Sequence, residues 1–325
     1  MDKKVGIVGV ASYVPEKILT NFDLEKMVDT SDQWIRERTG ISERRIADDD
    51  MPTSYLATKA GKRALEDANI KPEELDLIIV STVTPDQFFP STACIVQKHL
   101  GAANATAFDI SAACSGLIYA MSAAEQYIKT GFYKNALIIA ADALSKITDW
   151  QDRNTCVLFG DGAGAFVLSE VEEGGILSIQ MGSDGTGDKQ LTCPACFFTP
   201  EDEEKRNGKK HTTWMNGGEI FKYAVKIMPY ALEKAMDKAG ITAEQIDWFV
   251  PHQANLRIIS VAARKFDVDM DKFIVTLEKF GNTSASSIPI ALDISIKSGK
   301  IKKGDKLAMA AFGGGLTWGS AVIVL

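Results

Sequence analysis

The stretch Arg63-Ala-Leu-Glu-Asp-Ala-Asn-Ile70 recurs 171 positions later as Lys234-Ala-Met-Asp-Lys-Ala-Gly-Ile241. Both copies continue in the same way, over residues 71–80 and 242–251, with the end of a helix, an acidic turn and a buried strand. A self-similarity of this length is the first feature that a fold prediction has to accommodate. It indicates that the chain is built from two related parts.

Further matches keep the same order along the chain. The predicted strand at residues 5–8 lies over residues 176–179 at an offset of 171, and residues 137–140 lie over 307–310 at 170. We therefore predict two homologous halves, residues 1–172 and 173–325. The predicted strands are short, unbroken apolar runs that alternate with helical patterns, which is typical of α/β layers whose sheets are covered on both faces.

The composition excludes several classes of function. The chain has 325 residues, 46% of them hydrophobic, and a formal net charge of −7, which disfavours nucleic acid as a partner. Its five cysteines are an odd number and do not form a disulfide pattern. No stretch is typical of a membrane span or an export signal, so we expect a cytoplasmic protein that does not bind a membrane.

Cys114 is the first candidate for chemistry. It follows a predicted strand in Phe108-Asp-Ile-Ser-Ala-Ala-Cys-Ser-Gly116, among small residues, and a predicted helix begins just after it. Unpaired N–H groups at a helix N-terminus favour an anion, so we expect the thiol pKa to be lowered there. A buried, inert cysteine is the alternative interpretation of the same residues.

His252 and Asn282 are the next candidates. His252 follows an apolar strand, where α/β folds place groups that handle ligands, although a histidine that merely closes a strand fits as well. Asn282 lies in Phe280-Gly-Asn-Thr-Ser, which could be only a turn and helix cap. The repeat offset, however, places residue 285 opposite Cys114, so the halves should bring Asn282 close to the cysteine.

Glycine-rich and cysteine-rich segments carry weaker signals. The glycines 313–315 follow a predicted strand and would let a backbone N–H approach a substrate oxygen. The segment 159–164 resembles a nucleotide-binding loop, but a strand rather than a helix is predicted after it. Cys193 and Cys196 form a C-x-x-C pair that lacks further zinc ligands, so no metal site is predicted.

Several motifs, in this order, resemble those of β-ketoacyl-acyl-carrier-protein synthase III. They are Asp29-Thr-Ser-Asp-Gln-Trp-Ile35, Arg38-Thr-Gly-Ile41, Ala113-Cys114-Ser-Gly, Pro251-His252-Gln-Ala-Asn-Leu-Arg257, Gly281-Asn282-Thr-Ser-Ala and Phe312-Gly-Gly-Gly315. The resemblance runs from residue 5 to residue 325. It implies a thiolase-like fold of two pseudo-symmetric β/α halves in αβαβα layers, and a homodimer.

The resemblance also implies an activity. An acyl-CoA would acylate Cys114, malonyl-acyl-carrier protein would lose CO2, and its carbanion would attack the thioester, which is the first condensation of type II fatty acid synthesis. His252 and Asn282 would stabilise the enolate, and the amides of Cys114 and Gly314 would form the oxyanion hole. No cofactor is implied, because acyl-CoA is a substrate.

The remaining site residues are implied by the same resemblance. CoA and its pantetheine arm would contact Trp34, Arg153, Met215, Gly217 and Asn255. Phe89, from across the dimer interface, and Phe312 would shape the acyl pocket. The acidic carrier protein would dock on Lys222, Arg257, Arg264 and Lys265.

The sequence departs from the family's pattern in two places, and three alternative functions remain open. Gly218 stands where relatives often carry a larger polar residue, and the loop 190–213 with its cysteine pair looks longer than in the shortest relatives. A related condensing enzyme or acyltransferase of secondary metabolism could carry the same three residues. A non-catalytic module that binds CoA or carrier protein, and a C-x-x-C metal protein, are alternatives of a different class.

Overall fold

Two β-sheets organise the chain, whose computed structural model describes residues 3–325. The first sheet has the order β1-β7-β6-β4-β5 and the second has the order β8-β13-β12-β11. The strands are β1 Val5–Tyr13, β2 Ile18–Thr20, β3 Glu43–Arg45, β4 Leu77–Ser81, β5 Thr106–Ile110, β6 Ala136–Asp142, β7 Gly162–Glu170, β8 Gly175–Ser183, β9 Leu191–Thr192, β10 Trp214–Met215, β11 Trp248–Pro251, β12 Lys306–Gly313 and β13 Thr317–Val324.

The two sheets have the same topology, apart from the extra edge strand β5 in the first. In the first sheet β6 is parallel to β4 and antiparallel to β7, and in the second β12 is parallel to β11 and antiparallel to β13. Strands β4 and β11 begin 171 residues apart, and β6 and β12 begin 170 apart, as the repeat predicts. The predicted boundary between residues 172 and 173 falls in the turn between β7 and β8.

Helices cover both sheets and fill the space between them. Helices α3 and α4 pack on the outer face of the first sheet, α5 and α10 lie between the sheets, and α7 with α8 covers the outer face of the second. The helices are α1 Asn21–Leu24, α2 Asp32–Thr39, α3 Thr53–Ala68, α4 Thr92–Leu100, α5 Gly116–Lys129, α6 Pro200–Lys205, α7 Gly217–Ala239, α8 Leu256–Phe266, α9 Leu277–Phe280 and α10 Ser287–Lys297. The predicted αβαβα layering is confirmed.

Alternation along the buried strands explains this layering. In β4 the side chains of Leu77 and Ile79 enter the core between the sheets, whereas those of Ile78 and Val80 enter the core beneath α3. All four are fully buried, and burial of each such side chain contributes about 1.5–3 kcal/mol. An unbroken apolar strand is therefore what a sheet covered on both faces requires.

The two central helices begin in the same unusual way. A short 3-10 turn precedes each of them, Ala113–Ser115 before α5 and Ser284–Ser286 before α10. The first residue of each turn has a positive φ, 45° at Ala113 and 55° at Ser284. These residues are 171 positions apart, so the repeat extends to the backbone conformation of the site itself.

Two long connections, the one after β6 and the one between β8 and α7, contain only short helices and strands. The segment after β6 contains the 3-10 turn Leu144–Ile147, and the loop between β8 and α7 contains β9, α6 and β10. Strand β7, residues 162–170, begins within the glycine-rich segment 159–164, so the prediction that a strand rather than a helix follows this segment is confirmed. Within residues 3–325, none of the helices combines the length and apolar character that crossing a bilayer requires.

Candidate active site

One narrow cavity is lined by Cys114, His252 and Asn282 together. Its volume is about 100 Å³, and its wall is mostly apolar. Side chains from both halves of the chain contribute to the wall, among them Leu158, Phe159, Leu191, Tyr223, Ile258 and Leu316. The structure therefore brings together the three residues that the sequence singles out.

Cys114 lies in the turn between β5 and α5, at the N-terminal side of α5. The position of its backbone depends on Gly313, where an added Cβ would lie 2.6 Å from Cys114 N and 2.8 Å from Ala113 Cβ. Burial raises the pKa of the Cys114 thiol to about 12. The expected lowering of this pKa is wrong, because desolvation of the thiolate outweighs the favourable helix N-terminus.

His252 directly follows β11 and is only 1% exposed. Its Nδ1 lies 2.7 Å from Ser287 Oγ, and its backbone N–H donates to Ala310 O at 2.8 Å. Burial lowers the pKa of His252 to about 3, while the Ser284 backbone carbonyl acts in the opposite direction. The imidazole is therefore neutral at physiological pH.

Ser287 also assigns the histidine tautomer. Its Oγ accepts the backbone N–H of Gln253 at 3.2 Å and can donate its own proton to His252 Nδ1. With the Ser287 hydroxyl as the donor, the proton of the neutral ring lies on Nε2. The side-chain amide of Gln253 fixes this segment. Its Nε2 donates to Pro251 O and Ile274 O, and its Oε1 accepts from Thr276 N and Leu277 N.

Asn282 is held by its backbone and by one side of its amide. Its N–H donates to Leu158 O at 2.8 Å, and its carbonyl accepts from Gly160 N at 3.0 Å. Its Oδ1 accepts the Ser284 N–H at 2.9 Å, which leaves Nδ2 as the group that can donate into the cavity. The preceding Gly281 has φ of 63°, and a Cβ there would lie 2.8 Å from Leu158 O.

The predicted oxyanion-hole amides belong to two segments that one threonine ties together. Thr317 Oγ1 lies 3.0 Å from Ala112 O, next to the cysteine turn, and 3.3 Å from Gly314 O. Ser115 Oγ lies 2.8 Å from the same hydroxyl. Thr317 thus connects the Gly314 segment, through its carbonyl oxygen, to the turn that carries Cys114.

A second, larger cavity of about 680 Å³ is also lined by Cys114. Ser284, Gly314 and Leu144 are among its wall residues, and so are Thr192, Cys193 and Ala195 from the loop after β8. Cys114 and Leu191 line both cavities. Cys114 therefore borders two cavities of different size.

The predicted CoA-binding residues divide into two groups. Met215, Gly217 and Asn255 line the narrow cavity, although the Asn255 amide is engaged with Arg38 O and with Arg257 N as the cap of α8. Trp34 and Arg153 line neither cavity and contact each other, with the guanidinium 5.2 Å from the indole centroid. For an adenine ring to lie between them, Arg153 has to move away.

The two predicted acyl-pocket residues are placed differently. Phe312 lines the narrow cavity and meets the His252 ring edge-to-face at 5.5 Å, rather than lining the larger cavity. Phe89 is 84% exposed and lines neither cavity of its own chain, while its neighbour Phe88 lines the larger one. An added Cβ at Gly218 would meet open space, with Asn216 Oδ1 at 3.8 Å as the nearest atom.

The predicted docking residues form an exposed basic set on α7 and α8. Lys222, Arg257, Arg264 and Lys265 are all exposed, and Lys222 pairs with Glu219 at 2.7 Å. The Arg257 guanidinium lies 4.8 Å from the ring of Phe221, a wall residue of the narrow cavity. Through Arg257, the basic set therefore contacts a wall residue of the cavity.

The C-x-x-C pair is exposed, and both Cys193 and Cys196 are free thiols. In the part of the chain that the structure describes, no cluster of three or more potential metal ligands occurs.

Sequence reasoning missed several residues that hold the site. Ser287, Gln253, Thr317, Ser284 and Asp142 all fix or surround the three central side chains. One signal was available for Ser284 and Ser287, because the repeat offset aligns them with Ala113 and Gly116 at the start of α5. Nothing in the pattern indicated Thr317 or Asp142.

The chain matches known proteins in family, sequence and structure. Residues 236–325 match the family model "3-Oxoacyl-[acyl-carrier-protein (ACP)] synthase III C terminal", and residues 108–185 match "3-Oxoacyl-[acyl-carrier-protein (ACP)] synthase III". The β-ketoacyl-[acyl-carrier-protein] synthase III of Caldanaerobacter subterraneus is 59% identical over 320 residues, 98% of this chain and 97% of that protein. The protein of the same name from Clostridium acetobutylicum is 54% identical over 98% of both chains.

Solved structures agree with these matches. The 3-oxoacyl-[acyl-carrier-protein] synthase III of Aquifex aeolicus is 49% identical, with a TM-score of 0.92 over 99% of this chain and 100% of that one. The synthase III of Thermus thermophilus is 44% identical, with a TM-score of 0.93 over 98% and 99%. The priming β-ketosynthase of the R1128 polyketide pathway is 34% identical, with a TM-score of 0.93 over 100% and 97%.

Proposed function

The chain belongs to the β-ketoacyl-[acyl-carrier-protein] synthase III family, and on that premise we propose how its residues carry out the family's reaction. The protein is an acyltransferase that condenses a short acyl-CoA primer with malonyl-acyl-carrier protein and so initiates fatty acid synthesis. The observation that carries the residue assignment is that Cys114, His252 and Asn282 line one narrow cavity. The alternative function in secondary metabolism is not favoured, given the names and identities of the curated relatives.

Cys114 is the nucleophile of the first half-reaction. Its sulfur attacks the thioester carbon of the acyl-CoA, and the C–S bond to CoA breaks to leave an acyl-enzyme. The amides of Cys114 and Gly314 donate to the carbonyl oxygen as it becomes negative. The tether between their segments at Thr317 supports this role, because the donors must be held in place before the charge develops.

His252 and Asn282 serve the second half-reaction. When malonyl-acyl-carrier protein loses CO2, negative charge develops on its thioester oxygen, and two fixed donors stabilise that enolate. The Nε2–H of the neutral His252 and the Nδ2 of Asn282 are suitable donors, because their other polar atoms are bonded to Ser287 and Ser284. The enolate carbon then attacks the acyl group on Cys114.

The acyl chain occupies the larger cavity, and the pantetheine arm reaches Cys114 through the narrow one. Met215, Gly217, Asn255 and Phe312 line that approach. Trp34 and Arg153 take the CoA adenine once Arg153 has moved from its contact with the indole. Carrier protein, which is acidic, docks on Lys222, Arg257, Arg264 and Lys265 through charge attraction.

The working unit is a homodimer. Strand β5 is an edge of the first sheet, and exposed edge strands in natural proteins are usually paired or covered. Exposed aromatic side chains, Phe88, Phe89 and Phe197, lie on segments that include wall residues of the larger cavity. A second copy that covers this face would shield them and place its Phe89 at the acyl chamber.

The remaining assignments follow from the chemistry. The reaction needs no cofactor or metal, because decarboxylation itself supplies the carbanion and acyl-CoA is consumed as a substrate. Residues 1–172 supply the nucleophile and residues 173–325 supply the histidine and asparagine. Five free thiols, two of them exposed, suit the reducing cytoplasm as the location.

Intact-protein mass spectrometry tests this function. The protein is incubated with a panel of acyl-CoAs that includes acetyl, branched and longer chains, and then with malonyl-acyl-carrier protein. We expect Cys114 to gain the mass of one acyl group and to lose it when the carrier protein arrives, with a 3-ketoacyl product. A Cys114→Ala control should gain no mass, and failure of the wild-type protein to become acylated by any primer would refute the proposal.

A further inference from the structure

One buried side-chain amide joins the segments that carry the two proposed enolate donors. Gln253 directly follows His252 and is 1% exposed. Its Nε2 donates to two backbone carbonyls, and its Oε1 accepts from two backbone N–H groups. The four partners are Pro251 O at 2.7 Å, Ile274 O at 3.0 Å, Thr276 N at 2.9 Å and Leu277 N at 3.3 Å.

These four bonds use the whole hydrogen-bonding capacity of the Gln253 amide. A carboxamide has two N–H donors at one end and two acceptor positions at the other. If the amide were reversed, each end would face groups of its own kind, so the network fixes its orientation. Of the side chains of this length, glutamine alone supplies two donors and two acceptors. The position is therefore matched to this residue type.

The contacts of Gln253 reach the Asn282 segment from both sides. Leu277 is the first residue of α9, which leads directly to Gly281 and Asn282. On the other side, the backbone N–H of Gln253 donates at 3.2 Å to the hydroxyl of Ser287, the first residue of α10. Asn282 thus lies five positions from Leu277 and five from Ser287, between two points that Gln253 holds.

The same contacts hold His252. The carbonyl of Pro251, which Gln253 Nε2 binds, immediately precedes His252 in the chain. Ser287, which accepts from the Gln253 backbone, also bonds to His252 Nδ1 at 2.7 Å. Because two donors have to reach one enolate oxygen, their relative position determines whether both can stabilise it.

The α/β scaffold does not by itself require this bridge. The repeat aligns Gln253 with Thr82, which directly follows β4. Thr82 Oγ1 donates to Asp142 Oδ1 at 3.0 Å and accepts from Thr84 N at 3.0 Å, so its bonds stay beside the ends of β4 and β6. The bridge is present in the half that supplies both donors, whereas the equivalent residue of the other half has different partners.

We propose that Gln253 is a positioning residue for decarboxylation, which sets His252 Nε2 and Asn282 Nδ2 at the spacing that one enolate oxygen requires. Gln253 lines neither of the two cavities that border Cys114, so it acts through the two donors. Cys114 itself lies between β5 and α5, with Gly313 of β12 against its backbone, and does not depend on this bridge. The inference rests on the proposed function above.

The first test is Gln253→Met, which removes all four side-chain bonds and keeps the length of the side chain. Decarboxylation of malonyl-acyl-carrier protein should slow about 100-fold, because a displacement of about 1 Å at a reacting group has that effect. The loss should appear in kcat, with KM within a few-fold of the wild-type value, since the carrier protein binds elsewhere. Acylation of Cys114, followed by intact-protein mass spectrometry, should stay within a few-fold of the wild-type rate.

A double-variant comparison distinguishes positioning from a general loss of structure. In Asn282→Ala only one donor is left, and no spacing between donors has to be kept. Gln253→Met should therefore slow the residual decarboxylation of Asn282→Ala only several-fold, against about 100-fold in the wild-type background. An equal factor in the two backgrounds would show that Gln253 supports the fold alone, and would overturn the proposal.

Gln253→Glu keeps the test decisive if Gln253→Met does not fold. A glutamate keeps both acceptor positions and, when burial keeps it protonated, one donor. It should show the same selective pattern with a smaller loss, about tenfold in decarboxylation. Equal slowing of acylation and decarboxylation in this variant would overturn the proposal.

The matched control is Gln97→Met. Gln97 Nε2 also donates to two backbone carbonyls, Ala102 O at 3.1 Å and Ala105 O at 2.7 Å, but these lie between α4 and β5. This control should have a lower melting temperature and wild-type rates of both half-reactions. If it slowed decarboxylation as much as Gln253→Met does, the loss at Gln253 would reflect destabilisation, and the positioning role would be wrong.

Failure of the proposed function would give a different result. If wild-type decarboxylation depended on neither His252 nor Asn282, the roles given to those two residues would be wrong. If it depends on both, but Gln253→Met leaves its rate unchanged or slows acylation equally, their roles stand and the positioning role of Gln253 is refuted.

Discussion

Ser287 Oγ lies 2.7 Å from His252 Nδ1, and the direction of this hydrogen bond sets which nitrogen of the imidazole carries the proton. Because Ser287 Oγ accepts from Gln253 N, it can give its own proton to Nδ1, and Nε2–H is left to face the cavity. An imidazole that donates from Nε2 can stabilise an enolate without becoming charged. The burial of His252 favours this neutral form.

Removal of the Ser287 hydroxyl should therefore weaken decarboxylation selectively. In Ser287→Ala the ring loses the donor that fixes its tautomer, and we expect decarboxylation of malonyl thioester to slow about tenfold, or about 1.4 kcal/mol. Acylation of Cys114 should change much less. Single-turnover assays of each half-reaction measure the two effects, with Ser298→Ala, whose hydroxyl bonds only to Ser295 O at the end of α10, as the control. Equal slowing of both half-reactions would contradict the role given to Ser287.

Substitutions of the three central residues should also affect the two half-reactions differently. Cys114→Ala should abolish acyl transfer, because no other thiol lines the narrow cavity. His252→Ala and Asn282→Ala should each slow decarboxylation by about 100-fold or more, the usual loss when an oxyanion donor is removed, and should slow acylation less. Rapid-quench mass spectrometry follows acylation, and CO2 release follows decarboxylation. An equal loss in both steps would show that the assigned roles are wrong.

The positions of Cys114 and His252 could be predicted because each follows a strand, and that of Asn282 because the repeat relates the helix after it to the helix after Cys114. The match between residues 63–70 and 234–241 indicated two similar halves and so placed Asn282 near Cys114. The match could not predict whether the pKa of the Cys114 thiol is raised or lowered, because that depends on how deeply residues far apart in the chain bury the sulfur. Asp142 and Thr317 could not be predicted either, because only the packing of the two sheets brings them to the site.

The burial of His252 predicts how stability depends on pH. Its pKa is about 3 in the folded protein and near 6.5 when exposed, so the unfolded chain binds a proton that the folded chain refuses. The contribution of His252 to the free energy of unfolding is fully present above pH 6.5. It is lost as the pH falls, at about 1.4 kcal/mol per pH unit between pH 6.5 and pH 3. Between pH 7 and pH 5 the wild-type protein should lose about 2 kcal/mol more stability against urea than His252→Gln, since Asp142, whose pKa burial raises to about 6, acts in the opposite direction in both proteins. An identical pH dependence in the variant would contradict the assigned burial.

Gly313 should be a sensitive glycine of the site. A Cβ at this position would lie 2.6 Å from Cys114 N and 2.8 Å from Ala113 Cβ, and both neighbours are parts of the backbone turn that cannot move as a flexible side chain can. Gly313→Ala should therefore displace Cys114 and slow acylation by about 100-fold, since a shift of about 1 Å at a reacting group has that effect. Gly185→Ala, where a Cβ would meet nothing within 4 Å, is the matched control and should acylate normally. If Gly313→Ala kept the wild-type rate of acylation and an unchanged melting temperature, the turn would be free to move, and the close approach of β12 to the nucleophile would have no part in positioning it.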